Sequence, residues 1–437
     1  MNIAVIGTDE IGLSTAILLA YMNHFVVVVD DNQGKVDLLK KNSLHFYEPH
    51  LNEAIKVVNS GLSFTTNLTK AIETSDIVYY TSNLGYSKME LCQIFAGSLK
   101  DKFRVLVNKT QDKLGTTAEM DGIIRQKSSS FSIAYEVPFA NTGTLVSDTF
   151  FPEKMAIGTR DIMALQTLKT IYQPMVSQTV LLPDFIERPA RPPGKVIWTD
   201  IPSAELAYHG EQVFKGLKTS FVNEINNLAE KYGANTEDIL SVFRASGVNN
   251  LQLKYGLGWS RKEYGDNFTL LTEAASQAGI EVPLIKNALV SNYAQRDVLI
   301  DKISHALKGL EGKTIGILGL AYKPMTDSIV DSPAIDIVHV LLEHKARVRV
   351  HDPVCSIKMS MRYPELAVEY PPHVSDIFDG TDIVILCTEW SEYLTMDWRQ
   401  LSQYMNKAIV FDARNCLPHK SLVGMGFEVL TFSGEAD

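Results

Sequence analysis

Residues Asn2–Asp30 read NIAVIGTDEIGLSTAILLAYMNHFVVVVD. Asn2–Gly7 is a short β-rich run. Ile11–Tyr21 reads as a helix. Phe25–Val29 is a second buried strand and ends in Asp30. Together they form a βαβ unit, the opening of a doubly wound parallel sheet. In such a unit the turn after the first strand takes a pyrophosphate on backbone amides at the helix N-terminus, and the acidic residue closing the second strand takes an adenosine ribose. Gly7, Gly12 and Asp30 stand at the positions that chemistry requires.

The glycine run is nevertheless incomplete. It reads G-T-D-E-I-G, with Asp9 where the middle glycine belongs and Glu10 beside it. A middle glycine lets backbone approach the pyrophosphate; Asp9 adds a side chain and a negative charge there. Two like charges about 4 Å apart repel by roughly 1 kcal/mol in water and by more where screening is poor. Two readings stand side by side. In one, Asp9 caps the helix and the crevice holds no ligand; in the other, a dinucleotide binds in an altered pose.

Further strands are expected at Ile77–Thr81, Val105–Asn108, Ser132–Tyr135 and Met155–Gly158. Helices His50–Val58 and Lys88–Leu99 lie among them. The sheet is expected to run to about residue 190. The proline-bearing segment Asp184–Ile201 reads as connecting chain.

Beyond it, Ser203–Lys231 carries Leu206, Val213, Leu217, Phe221, Ile225 and Leu228 at helical steps. That period predicts one long helix with these residues on its buried face. Pro202 and Ser203 suit its first turn and Gly233 its end. At 1.5 Å per residue it spans roughly 40 Å, enough to serve as a spine between two α/β domains.

The totals bound the class. A chain of 437 residues exceeds one hydrophobic core and implies two or three domains. With 45% hydrophobic and 21% charged residues it is an ordinary globular composition. A net charge of −10 argues against a nucleic-acid partner. No apolar run reaches the length of a membrane span, and the N-terminus lacks the marks of a secretion signal. Cys92, Cys355, Cys387 and Cys416 lie far apart with no CxxC pair, which predicts a reduced, cytoplasmic protein without a metal site.

After Lys313 the strand–turn pattern begins again. Thr314–Pro333 reads TIGILGLAYKPMTDSIVDSP. Ala334–His344 reads as a helix; Ala346–His351, Ile383–Cys387 and Ile409–Phe411 read as strands. Here the chain resembles the UDP-glucose/GDP-mannose dehydrogenase family. Gly319-Leu320-Ala321-Tyr322-Lys323-Pro324, Thr326-Asp327 and Ser332-Pro333 match one block of that family. Thr388-Glu389-Trp390 and Asp412-Ala413-Arg414-Asn415 match two more. Tyr47-Glu48-Pro49 with Leu51, Ala204-Glu205-Leu206 and Phe221-Val222-Asn223-Glu224 extend the match over essentially the whole chain.

The resemblance implies an α/β fold of two Rossmann-like doubly wound domains joined by a long central helix and a small helical domain. The boundaries expected are 1–195 for an NAD-binding type domain, 196–305 for a central helical and dimerisation domain, and 306–437 for a UDP-sugar-binding type domain. It implies a homodimer through the central helix. It also implies oxidation of a sugar C6 hydroxyl to a carboxylate with two NAD, through a thiohemiacetal on a cysteine.

Several positions depart from that catalytic set. In Gly256–Asn267 the nucleophile falls on Glu263, the lysine on Asp266 and the aspartate on Asn267. In the spine, Tyr208 and Gln212 replace a lysine and an asparagine. Thr142 replaces a glutamate and Val330 an arginine, and the substrate-binding RIG triplet is missing from residues 247–255. Thr110 and Gly115-Thr116 persist from a cofactor-loop motif that has lost its proline.

The cofactor positions are therefore Gly7, Gly12, Asp30 and Thr110, weakened by Asp9, so NAD binding stands in doubt. The substrate positions are Tyr322, Lys323 and Arg414. Each has an alternative: Asp30 only ends a strand, Lys323 is a solvated loop lysine, Arg414 bridges loops. Tyr208 and Gln212 are expected to pack on the spine, and His209 to lie at a surface or interface. Three functions follow. The first is a catalytically degenerate homologue that binds a nucleotide sugar or assembles with an active paralogue in polysaccharide or natural-product metabolism. The second is an NAD-linked enzyme of one-step chemistry, and the third an ordinary UDP-glucose 6-dehydrogenase.

Overall fold

A computed structural model describes residues 1–437 except 59, 83, 100–101, 182, 184, 189–193, 246–252 and 436–437. The chain divides into two compact units, Met1–Gly210 and Glu211–Asp437.

In the first unit the strands are β1 (Asn2–Ile6), β2 (Phe25–Val29), β3 (Leu62–Thr65), β4 (Ile77–Tyr80), β5 (Arg104–Asn108), β6 (Phe131–Glu136), β7 (Lys154–Gly158) and β8 (Lys195–Thr199). The helices are α1 (Glu10–Tyr21), α2 (Gln33–Lys40), α3 (Leu51–Val58), α4 (Leu68–Thr74), α5 (Lys88–Gly97), α6 (Thr116–Arg125), α7 (Leu145–Phe150) and α8 (Ile162–Val176). The sheet order is β3-β2-β1-β4-β5-β6-β7-β8. Neighbours are parallel except β6 and β7, which are antiparallel. The first six strands have the doubly wound order, with the topological switch between β1 and β4.

Alternation along the strands gives each face its own core. Ile3, Val5, Val26, Tyr79 and Val107 pack with α1 and α8 residues such as Leu13, Ile17 and Leu168. Ala4, Ile6, Val78, Tyr80 and Leu106 pack on the other face with Leu91, Phe95 and Met120. Strands buried on both faces read as continuous apolar runs, as FVVVV does.

The second unit contains α10 (Thr236–Ala245), a π-helical turn (Arg261–Gly265), α11 (Asp266–Gln277) and α12 (Pro283–Leu307). A seven-stranded sheet follows, built from β9 (Thr314–Leu318), β10 (Arg347–His351), β11 (Val368–Glu369), β12 (Ile383–Leu386), β13 (Ile409–Asp412), β14 (Glu428–Thr431) and β15 (Gly434–Glu435). Its order, β11-β10-β9-β12-β13-β14-β15, repeats the doubly wound pattern, with only β15 antiparallel. Helix Pro333–Glu343 covers it with Ile335, Ile337, Val338 and Leu341 buried.

The long helix α9 (Ile201–Lys231) begins in the first unit and ends in the second. Its length matches the sequence reading, but its buried face does not. Leu206, Phe221 and Leu228, expected inside, are 53%, 51% and 57% exposed, and Phe214 is 51% exposed. Of the six residues named, only Val213 is buried. The inward face mixes polar and small residues, Glu205, His209, Gln212, Gly216, Ser220, Asn223 and Asn226, with Tyr208, Val213 and Val222. Hydrogen bonds select that face. Asn226 donates to the Phe432 carbonyl at 2.9 Å and accepts from the Ser433 hydroxyl at 2.6 Å. Asn223 accepts the Gly256 amide at 2.9 Å.

A second correction concerns Asp184–Ile201, read as connecting chain. Part of it lies outside the described residues, but Lys195–Thr199 is strand β8 and extends the sheet by pairing parallel with β7. Prolines upstream do not stop a strand that starts after the last of them. The position of the missing RIG triplet, residues 247–255, falls largely outside the described residues.

Candidate functional site

The carboxyl ends of β1 and β2 carry the glycine turn and Asp30. Asp9 is the N-cap of α1, and its carboxylate accepts the Gly12 amide at 2.8 Å. Gly7 and Gly12 are fixed by packing. A Cβ on Gly12 would collide with the Gly7 carbonyl oxygen, and one on Gly7 with the Ser82 and Thr81 hydroxyls. Asp30 is fully buried. It accepts the Thr8 hydroxyl and the Asn32 amide, the latter at 2.8 Å, and pairs with Lys35 at 3.6 Å. Burial alone would raise the Asp30 carboxyl; the Thr8 and Asn32 donors and the Lys35 charge bring it below the usual carboxylate range.

Thr110 is buried, and its hydroxyl lies 2.9 Å from Asn108 Oδ1 and 3.1 Å from Asp112 Oδ2. Beside it, Lys109 Nζ meets Glu136 Oε1 at 2.5 Å, and the Tyr172 hydroxyl donates to Glu136 Oε2 at 2.5 Å. Tyr79 and Tyr172 hydroxyls are 2.9 Å apart and continue the chain inward. Residue type alone gave no signal of this ion pair; its members are far apart in sequence and meet only because β5 and β6 are neighbours.

Two motif glutamates prove to be helix caps. Glu48 accepts the Gly143 and Leu145 amides at 2.7 and 2.9 Å, closing the N-terminus of α7. Glu205 accepts the Gly115 and Thr117 amides at 2.7 and 3.0 Å, and so caps α6. Both helices lack a side-chain cap from their own N-cap residue. A carboxylate there satisfies orphan amides and the positive helix end. Thr142 sits half-buried in the turn before α7. Tyr208 is buried with Tyr135, Val137 and Ala156, as packing on the spine requires. His209, expected at a surface or interface, is fully buried, with Nε2 2.9 Å from the Asp112 carbonyl. The bond to the Asp112 carbonyl gives the imidazole a partner on the inward face of the helix.

The second unit brings the other set together. Gly258 has φ +88°, and Trp259 exchanges two hydrogen bonds with the Asn292 amide at 2.9 Å each. Trp259 stacks on Phe268 at 4.7 Å. Ser260 caps the π-helical turn by accepting the Glu263 amide at 3.0 Å. Single turns of π-helix often mark functional sites. This one holds Glu263 half-buried. Burial raises its carboxyl, opposed by the positive charges of Lys323 and Arg414 and by the Tyr264 hydroxyl. Three sequence-predicted positions, Glu263, Lys323 and Arg414, are thus electrostatic neighbours. Asp266 is not among them: it points outward and pairs with Arg261 at 2.8 Å. Asn267 and Gln212 are buried.

Arg414 bridges loops. It donates to the Cys387 and Tyr322 carbonyls at 2.6 and 2.8 Å and pairs with Glu389 at 3.4 Å. Lys323 is half-buried, with its ammonium 5.5 Å from the centre of the buried Tyr322 ring. Two aspartates hold this edge together. Asp412 accepts the Arg414, Cys416 and Leu417 amides and lies 2.8 Å from His419 Nε2. Burial would raise its carboxyl, but those donors keep it below the usual range. Asp352 accepts the Leu320, Ala321, Val354 and Cys355 amides and the Trp390 indole. Sequence matching found the blocks at Gly319–Pro324 and Thr388–Trp390, but not that the buried Asp352 carboxylate ties the two together.

Among the described residues no cluster of His, Cys, Asp or Glu is arranged to hold a metal, and no helix is long and apolar enough to cross a membrane.

Comparison with known proteins places this geometry. Residues 1–176 match the NAD binding domain of the UDP-glucose/GDP-mannose dehydrogenase family, 202–294 its central domain and 316–419 its UDP binding domain. The chain is 28% identical over 450 residues to UDP-glucose 6-dehydrogenase YwqF of Bacillus subtilis, covering 100% of this chain and 98% of that one. It is 28% identical over 445 residues to a UDP-glucose 6-dehydrogenase of Rickettsia conorii, covering 98% of each. The fold matches the structure of a UDP-glucose dehydrogenase from Pyrobaculum islandicum with a TM-score of 0.82 at 25% identity, covering 94% of each chain. With all three of its domains matched, the chain belongs to the UDP-glucose/GDP-mannose dehydrogenase family.

Proposed function

We propose that this family member binds a nucleotide sugar but does not carry out the four-electron oxidation. The observation that supports this reading is the lack of a thiolate. Glu263 stands in the register of the family's nucleophile, and a carboxylate cannot form a thiohemiacetal. None of the four cysteines replaces it. Burial pushes Cys92 and Cys387 up to about 12, and Cys355 and Cys416 higher still. A thiol so raised is not a nucleophile at neutral pH.

On this reading Lys323, Tyr322 and Arg414 serve a UDP-sugar in the carboxyl-terminal region. Asp266, Asn267, Thr142, Tyr208 and Gln212 mark catalytic positions given over to other uses. The division into 1–195, 196–305 and 306–437 belongs to the same reading, as does a cytoplasmic protein. The exposed apolar side of α9 suits a second copy of the chain, and a homodimer of this kind can associate with an active paralogue.

Calorimetry with UDP-glucose, followed by absorbance of NADH with UDP-glucose and NAD together, tests the proposal. Sugar-nucleotide binding without NADH is expected. Repeated turnover to NADH would overturn it and restore the activity named for the relatives. No binding of any UDP-sugar would overturn it as well.

A further inference from the structure

We infer that the amino-terminal unit of this chain does not accept a nicotinamide dinucleotide, because its own carboxylates and loops already occupy the places a dinucleotide would take. The inference deepens the proposed function by removing the cofactor as well as the nucleophile. It concerns the first unit alone.

Three places decide the matter. The first is the pyrophosphate position at the N-terminus of α1. A phosphate binds there by accepting helix amides and using the positive end of the dipole. In this chain the Asp9 carboxylate already accepts the Gly12 amide at 2.8 Å, and Glu10 adds a second acidic side chain in the same turn. An arriving pyrophosphate meets a filled acceptor position and like charge.

The second is the ribose position at the end of β2. An acidic residue holds ribose hydroxyls only if its oxygens are accessible. Asp30 is 0% exposed. Its Oδ1 takes the Asn32 amide, and its Oδ2 takes the Thr8 hydroxyl and faces Lys35.

The third is the space beyond the carboxyl end of β1. β1 lies between β2 and β4 in the sheet. Asp31, just after β2, accepts the Gly85 amide from the segment after β4 at 2.6 Å. That bond joins the two flanking segments across the end of β1, where the glycine turn lies. The Tyr86 hydroxyl approaches the Thr66 carbonyl, beyond β3, at 3.4 Å, a weak contact that leaves the Asp31–Gly85 bond as the main tie. The residues present therefore do not fit the dinucleotide, and no step of chemistry is assigned to it.

The test is titration of the full chain with NAD and with NADH, by calorimetry and by NADH fluorescence, with no sugar nucleotide present. The wild-type chain is expected to show no binding up to millimolar cofactor. Asp9→Asn keeps an equally good helix cap while removing the charge. Asp9→Gly restores the glycine, and combination with Asp31→Ala releases Gly85. The combined variant is expected to bind measurably, with a midpoint at least about 10-fold below the highest cofactor concentration at which wild type shows none, as relief of one like-charge contact at poor screening allows. Unchanged melting of Asp9→Asn guards against misfolding. Micromolar binding by the wild type overturns the inference. Equal weakness of wild type and every variant overturns the assignment to Asp9 and Asp31. Either result leaves the sugar-nucleotide titration, which tests the proposed function, to be read independently.

Discussion

Asp352 Oδ2 accepts the Trp390 indole N–H at 3.2 Å, and the same oxygen takes the Leu320 and Ala321 amides at 2.8 and 3.1 Å. Oδ1 takes the Val354 and Cys355 amides at 2.9 Å each. One buried carboxylate thus joins the loops that follow β9, β10 and β12. The sequence blocks beginning at Gly319 and Thr388 need no bound ligand to explain why they sit together.

Removing that acceptor strands five donors, each costing about 1–3 kcal/mol when buried without a partner, less what water recovers. Asp352→Ala is expected to lower stability by on the order of 4 kcal/mol. Asp352→Asn keeps one oxygen and costs less. Urea unfolding measures both. An alanine variant with an unchanged midpoint would show that the loops hold without the hub.

Lys109 and Glu136 form the second buried device. Their side chains are 14% and 2% exposed, so Glu136 is shut off from water while Lys109 keeps partial contact with it. Lys109→Met leaves Glu136 uncompensated except for Tyr172 and is expected to cost roughly 3–5 kcal/mol. The double variant Lys109→Met with Glu136→Gln is expected to be more stable than the Lys109→Met single. Thermal melts of the full cycle decide; strict additivity would mean that the two charges are not coupled.

The elements were largely legible because strands buried on two faces write themselves as apolar runs such as FVVVV, and because glycines mark the turns after β1 and β9. The orientation of α9 was not legible. Periodicity reports that one side of a helix is apolar; it does not report whether that side meets the chain's own core. Asn223, Asn226, Glu205 and His209 turn inward because backbone groups far away in sequence supply their partners. The role of Asp9 was readable in kind, as a cap. The bond between Asp31 and Gly85 was not, since it depends on the strand order.

The apolar side of α9 gives a direct prediction. Leu206, Phe214, Phe221 and Leu228 are each more than half exposed along one helix about 45 Å long. An exposed apolar patch of this kind marks an interaction surface. Phe214→Glu with Leu228→Glu is expected to convert a dimer to a monomer in sedimentation, with the circular dichroism of the fold unchanged. A wild-type chain that sediments as a monomer would remove the second copy from the proposal.

Glu263 makes the last prediction, through pH. Burial raises its carboxyl above the ordinary value in the folded chain, with Lys323, Tyr264 and Arg414 pulling it back only in part. The folded state therefore binds the proton more tightly than the unfolded chain does. Between the unfolded value, about 4.3, and the higher folded value, stability falls as pH rises, because the unfolded state releases the proton first. Above the folded value the full destabilisation by this group is in place. Glu263→Gln removes it, so the variant is expected to melt above wild type at pH 7, with the difference closing as pH falls below about 4. Glu263→Cys, which is neutral in its thiol form, is expected to shift stability in the same direction. The opposite sign, a glutamine variant that melts lower at pH 7 and level in acid, would mean that the Lys323 and Arg414 charges outweigh burial and that Glu263 is held as a firmly ionised partner of both.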